Sequence, residues 1–166
     1  MVVNPGVSID SIDFSPDGQR IVSGSHDGII RVWNVKSRQQ LTTQPMSVDA
    51  NPVLSVAFAH DHPWIVSGSS NGAIRVWDAE SHNLIGATFM ENKNDVPSVA
   101  INEDDSRILS GSIDGDIQLW PTPKDLTNTL CDKLSAGLSN QQRNNRVSST
   151  DGYPAACRDL PMPPGE

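Results

Sequence analysis

Several groups of side chains in this sequence have the residue types that chemistry needs. Ser25-His26-Asp27 supplies a nucleophile, a base and a carboxylate, the set used in acyl transfer. His60-Asp61-His62 offers metal-ligand types, and Glu103-Asp104-Asp105 offers the hard oxygens that calcium takes. Spacing argues against each. Three consecutive residues at a strand end point in different directions and cannot line up as nucleophile, base and orienter, so Ser25-His26-Asp27 reads as a turn. The two histidines have no third or fourth ligand nearby in sequence, and the acidic triplet lacks the alternating ligand spacing and flanking helices of a calcium loop. Both read as polar turns. No nucleophile elbow, phosphate loop or H-E-x-x-H helix occurs, so neither catalysis nor a cofactor or metal is expected.

The elements that carry these turns repeat. Ile12 opens IDFSPDGQRIVSGSHDGIIRVWNV, Val56 opens VAFAHDHPWIVSGSSNGAIRVWDA and Val99 opens VAINEDDSRILSGSIDGDIQLW. Trp33, Trp77 and Trp120 are about 44 residues apart, as are Gly24, Gly68 and Gly111, so the copies are in register. Within each copy, short β-rich segments around Val22, Ile29 and Val32 alternate with Asp-Gly turns. Gly18, Gly28, Gly72 and Gly115 stand where a hairpin needs positive φ. Each copy therefore holds at least two hairpins, and a four-stranded antiparallel unit of this length stacked on its own copies is a propeller blade.

Composition sets the bounds. The 166 residues carry 12 Lys and Arg against 20 Asp and Glu, a net charge of −8, which repels a phosphate backbone or an anionic lipid surface. Nucleic acid and membrane are not expected partners. The N-terminus has neither a basic region nor a continuous apolar run, so a cytoplasmic location is expected. Cys131 and Cys157 both fall outside the repeats. They are too few for a disulfide-dense scaffold, and a bond between them and two reduced thiols both stand open.

The pattern Ser-Gly-Ser-x-Asp-Gly-x-Ile-Arg-Val-Trp-Asp, most complete at Ser67 to Asp78, resembles the WD-repeat family over residues 7–120. The resemblance implies a network in each blade: a Trp on the third strand, a Ser on the second, an Asp in the turn between them and a His before the first strand. Carried over by position, the network holds Trp33, Asp27 and Ser23 or Ser25; Trp77, Asn71 and Ser67 or Ser69; and Trp120, Asp114 and Ser110 or Ser112. A buried indole N–H needs an acceptor, which a serine hydroxyl provides. The Gly-His pair is missing, however. Val48-Asp49 and Glu91-Asn92 stand in its place in the second and third copies, and Asn4-Pro5 near it in the first. The lost partner should cost about 1 kcal/mol per blade.

After Trp120 the character changes. Pro121 and Pro123 end the strand pattern, so the third blade should lack its outer strand. Asp125 can cap a helix over about 125–136 carrying Leu126, Leu130 and Leu134, with Gly137 as its stop. Leu130-Cys131, Leu138-Ser139, Tyr153 and Cys157 to Pro161 resemble the extension that follows the propeller in large bacterial WD-repeat proteins, with Arg143 and Arg146 replacing its aromatic residues. That likeness implies a natural C-terminus and a missing N-terminal portion.

The expected architecture is all-β: residues 1–122 form three four-stranded antiparallel blades (about 1–46, 47–89 and 90–122) of an open, incomplete propeller, and 123–166 form a partly helical tail. The resemblance implies a non-catalytic protein-interaction scaffold, with His26, Asp49, Ser70, Asn92 and Ile113 on the partner-binding rim. The alternative is a C-terminal regulatory piece of a larger bacterial signal-transduction ATPase. Three blades cannot close a ring of about 4–8, so the chain is expected to self-associate or to be completed by a partner carrying further blades.

Overall fold

β-branched residues at alternate positions, interrupted by Asp-Gly and Asn-Gly, favour short pleated segments joined by tight turns. A computed structural model describes residues 6–42, 44–89 and 94–124, and the part through Thr122 forms one unit. It holds β1 (Ile9–Phe14), β2 (Arg20–Ser25), β3 (Ile30–Asn34), β4 (Val53–Phe58), β5 (Trp64–Ser69), β6 (Ile74–Asp78), β7 (Leu84–Phe89), β8 (Ser98–Ile101), β9 (Arg107–Gly111) and β10 (Ile117–Pro121). The strands form three antiparallel sheets, β1-β2-β3, β4-β5-β6-β7 and β8-β9-β10. No helix interrupts the described residues between 12 and 119. Among the described residues, no helix is long and apolar enough to cross a membrane.

The repeat is visible in the register. Ile12 pairs with Ser23, Val56 with Ser67 and Val99 with Ser110. Trp33 faces Ile21, Trp77 faces Ile65 and Trp120 faces Ile108. Gly28, Gly72 and Gly115 close the turns between second and third strands at φ of 76°, 81° and 90°, a conformation that costs any residue with a Cβ.

The fourth strand differs from sheet to sheet. Among the described residues, only the second sheet has a continuous one, β7. In the first sheet it reduces to two bridges, Trp33 with Gln40 and Ile30 with Met46. Here the Gln40 side-chain amide donates to Thr42 O and Oγ1, which folds the segment on itself, and Pro45 has no N–H to give to a ladder. In the third sheet β10 is the last strand among the described residues. It reaches further than the proline rule implies, since Pro121 is its final residue and pairs with Arg107; an outer strand tolerates proline because the absent N–H has no neighbour to serve. The helix expected over 125–136, and both cysteines, lie outside the described residues.

Two cores bind the sheets face to face. Val22, Ile30 and Val32 of the first sheet pack on Val53, Val56, Phe58, Ile65 and Trp77 of the second. Val66, Ile74 and Val76 of the second pack in the same way on Val96, Val99, Ile101, Ile108 and Trp120 of the third. Polar ties repeat with the packing. Val56 N–H donates to Ser11 Oγ at 3.1 Å and Val99 N–H to Ser55 Oγ at 3.0 Å, while Phe58 N–H donates to Asp13 Oδ2 at 2.8 Å.

Candidate functional site

The turn that follows the second strand of each sheet is built the same way three times. Gly28, Gly72 and Gly115 donate their N–H groups to Ser25, Ser69 and Ser112 carbonyls. In the first two turns Asp27 and Asn71 accept from the N–H two residues on, Ile29 and Ala73, at 3.2 Å, the local bond that suits Asx residues to turns. The N–H of His26, Ser70 and Ile113 is spent on Ser8, Pro52 and Asp95 carbonyls just before each first strand. These three residues thus occupy one equivalent position, at the same end of every sheet. His26 and Ile113 are 65% and 64% exposed; Ser70 is half-buried.

Beneath this rim the network divides in two. Trp33, Trp77 and Trp120 Nε1–H donate to Ser23, Ser67 and Ser110 Oγ at 3.0, 2.9 and 2.8 Å. Ser25 and Ser69 serve an arginine instead. Arg31 donates to Ser25 Oγ at 2.9 Å and grips Asp27 with both terminal nitrogens, at 3.2 and 2.7 Å. Arg75 donates to Ser69 Oγ, but its carboxylate is Asp49 at 2.6 Å, and Asn71 donates its amide to the same oxygen. The carboxylate has moved from the turn to the preceding loop. The position where the family pattern has histidine is therefore filled by a charge that neutralises a buried guanidinium, not simply left a partner short.

In the third sheet Gln118 replaces the arginine. There the Asp114 carboxyl is held below the usual range by the Ser112 hydroxyl and then by the Asn94 amide. Asp27 is lowered chiefly by its bond from Arg31. For Asp49, burial acts to raise the carboxyl, and the Asn51 N–H and Arg75 outweigh it.

The side chains whose types suggested chemistry are parted by the fold. Ser25 is fully buried on Arg31, while His26 turns its Nδ1 toward Asp10 Oδ2 at 3.4 Å. Asp49 is engaged with Arg75, and Asn92 lies outside the described residues. Among the described residues, no group of three or more His, Cys, Asp or Glu is placed to hold a metal ion.

One acidic residue does more than a polar turn requires. Asp105 is fully buried and reaches across to the turn of the neighbouring sheet, accepting from His60, Asp61 and His62 N–H at 2.8, 2.8 and 2.9 Å. His62 Nδ1 lies 3.0 Å away and His60 Nδ1 3.5 Å. Burial acts to raise this carboxyl, but the His60 N–H, the His62 ring and the remaining N–H donors outweigh it and lower it to about 2. In the repeat Asp105 takes the place of Gly18 and keeps that residue's backbone, with a φ of 56° against 65°.

The WD domain, G-beta repeat family matches residues 5–34, 39–78 and 85–121. Over 53 residues the chain is 40% identical to the ribosome biogenesis protein ytm1 of Aspergillus clavatus and 38% identical to that of Aspergillus oryzae. Each match covers 32% of this chain and 11% of the relative, so the likeness spans about a tenth of those proteins. A chain in the crystal structure of a mitotic checkpoint complex superposes with a TM-score of 0.65 at 24% identity, covering 72% of this chain and 35% of that one. That likeness is one of fold.

Proposed function

The chain belongs to the WD domain, G-beta repeat family, and from that premise we propose that it is a non-catalytic scaffold that binds a protein or peptide on the rim formed by His26, Ser70 and Ile113. One observation carries the reading. Three turns of matching backbone, tied down by the same hydrogen bonds, present an imidazole, a hydroxyl and an aliphatic side chain at one equivalent position. A framework that stays fixed while the presented side chain changes suits recognition of an extended surface. The Arg31–Asp27 and Arg75–Asp49 pairs, buried at the guanidinium and partly exposed at the carboxylate, hold the turns from below. Such pairs set geometry more than they add stability.

The likeness to ribosome biogenesis proteins reaches about a tenth of their length, which supports a shared repeat rather than a shared pathway. The regulatory reading drawn from the bacterial extension rests on tail residues beyond those described.

The test is capture by the immobilised chain from extracts of its source. Ile113→Asp and His26→Ala alter exposed rim side chains without setting a carboxylate beside Asp10, so both variants should stay close to the wild-type melting temperature and lose the captured protein. Capture that survives both substitutions would remove the rim from the proposal.

A further inference from the structure

The two end faces of the sheet stack match the two halves of its internal interfaces. In the first sheet, Val22, Ile30 and Val32 form the face that the second sheet covers. Their counterparts in the third sheet, Leu109, Ile117 and Leu119, are 42%, 75% and 65% exposed. The opposite halves of the internal interfaces include Val56 with Phe58 and Val99 with Ile101. Their counterparts in the first sheet, Ile12 and Phe14, are 67% and 58% exposed. The chain thus presents one copy of each face.

A glycine niche supports the match independently. A Cβ on Gly24 would stand 2.7 Å from a Val53 methyl, and one on Gly68 would stand 2.8 Å from a Val96 methyl. In both places the missing side chain lets the next sheet approach. Gly111 holds the same position in the third sheet, where a Cβ would meet only Ser98 Cβ at 3.9 Å. The niche is present, and among the described residues no side chain comes closer to it than Ser98. Polar positions agree as well. Ser98 corresponds to Ser11 and Ser55, which accept the N–H of Val56 and Val99, and Ile12 N–H corresponds to those donors. Arg20 sits over the Phe58 ring at 5.8 Å; Arg107 and Phe14 occupy those two places at opposite ends of the stack.

We propose that two copies of this chain associate head to tail, with the β8-β9-β10 outer face of one seated on the β1-β2-β3 outer face of the other. Ile9 or its neighbours would enter the Gly111 niche, and Ser98 Oγ would accept Ile12 N–H. Two such contacts bring six sheets together, within the range of about 4–8 in which propellers close, whereas three copies would bring nine. The contact is heterologous, and a rotation that closes after two copies gives a ring rather than a filament.

Sedimentation equilibrium of the 166-residue chain tests this. The wild type should sediment at twice its 17.9 kDa mass at micromolar concentration. Gly111→Leu fills the niche and Phe14→Glu charges the opposite face, both at positions outside the two cores of the single chain. Each variant alone should lose the dimer. Mixed in equal amounts they should recover one of the two contacts, the intact β8-β9-β10 face of the Phe14→Glu chain on the intact β1-β2-β3 face of the Gly111→Leu chain, and associate more tightly than either variant alone. This recovery also shows that both have folded. A wild-type chain that stays monomeric, with its faces covered by its own tail or left for other blades, overturns the proposal. So does a single variant that still dimerises as the wild type does, as in a contact of like faces, or a mixture that associates no more tightly than either variant alone.

Discussion

Asp105→Ala should lower stability by about 3–5 kcal/mol, the range for removing one side of a buried charged contact. Three N–H groups of residues 60–62 converge on this carboxylate, and without it they lose their acceptor at about 1–3 kcal/mol for each that water cannot reach. Alanine also inherits a φ of 56°, which aspartate and asparagine tolerate better. Asp105→Asn keeps that backbone and one carbonyl oxygen, and isolates the charge. The pH dependence follows from the carboxyl, whose ordinary value of 3.8 is lowered to about 2 in the fold. A carboxyl lowered by folding contributes stability above its unfolded value and loses it as pH falls through the folded one. About 2 kcal/mol should therefore disappear between pH 4 and pH 2, and the asparagine variant should lack that part of the slope. Urea midpoints at pH 7 and pH 3 measure both effects. A midpoint unmoved by Asp105→Ala would show that the turn holds without the carboxylate.

Trp77→Ala should cost a similar amount, about 3–5 kcal/mol. The indole is 4% exposed and belongs to the core between the first two sheets, with Val22, Ile30, Val32 and Phe58, so truncation leaves a cavity against two sheets at once. Its Nε1–H bond to Ser67 at 2.9 Å is a smaller part of the total. Ser67→Ala strands the buried donor and should cost about 1–3 kcal/mol. An unchanged melting temperature for Trp77→Ala would contradict the packing described here.

The three sheets and their register could be read from Trp33, Trp77 and Trp120 because an indole two pleats from a serine recurs with the same hairpin each time. Which serine meets the indole could not. Ser23 and Ser25 are two residues apart on one strand, so alternation puts both on the same face, and only the position of Arg31 separates their roles. The change of carboxylate from Asp27 to Asp49 was equally hidden, since it depends on the loop before β4 folding back to Arg75. Asp49 therefore supports the rim from within. Asp105 looked like one of three acids in a polar turn; its burial comes from a sheet 43 to 45 residues away in sequence, which no local pattern encodes. The broken fourth strand of the first sheet follows from the side-chain bonds of Gln40, a local competition with the ladder.

The proposed recognition rim is tested most directly by position-specific photocrosslinking. A photoreactive residue replacing Ile113 or His26 should capture a partner protein in extracts of the source, because both side chains stand exposed on the turns that follow the second strands. The same residue replacing Asp17 or Asp61, on turns at the opposite ends of those strands, should capture none. Capture from Asp17 or Asp61, with none from Ile113 and His26, would place recognition on the other end of the sheets and contradict the proposed rim.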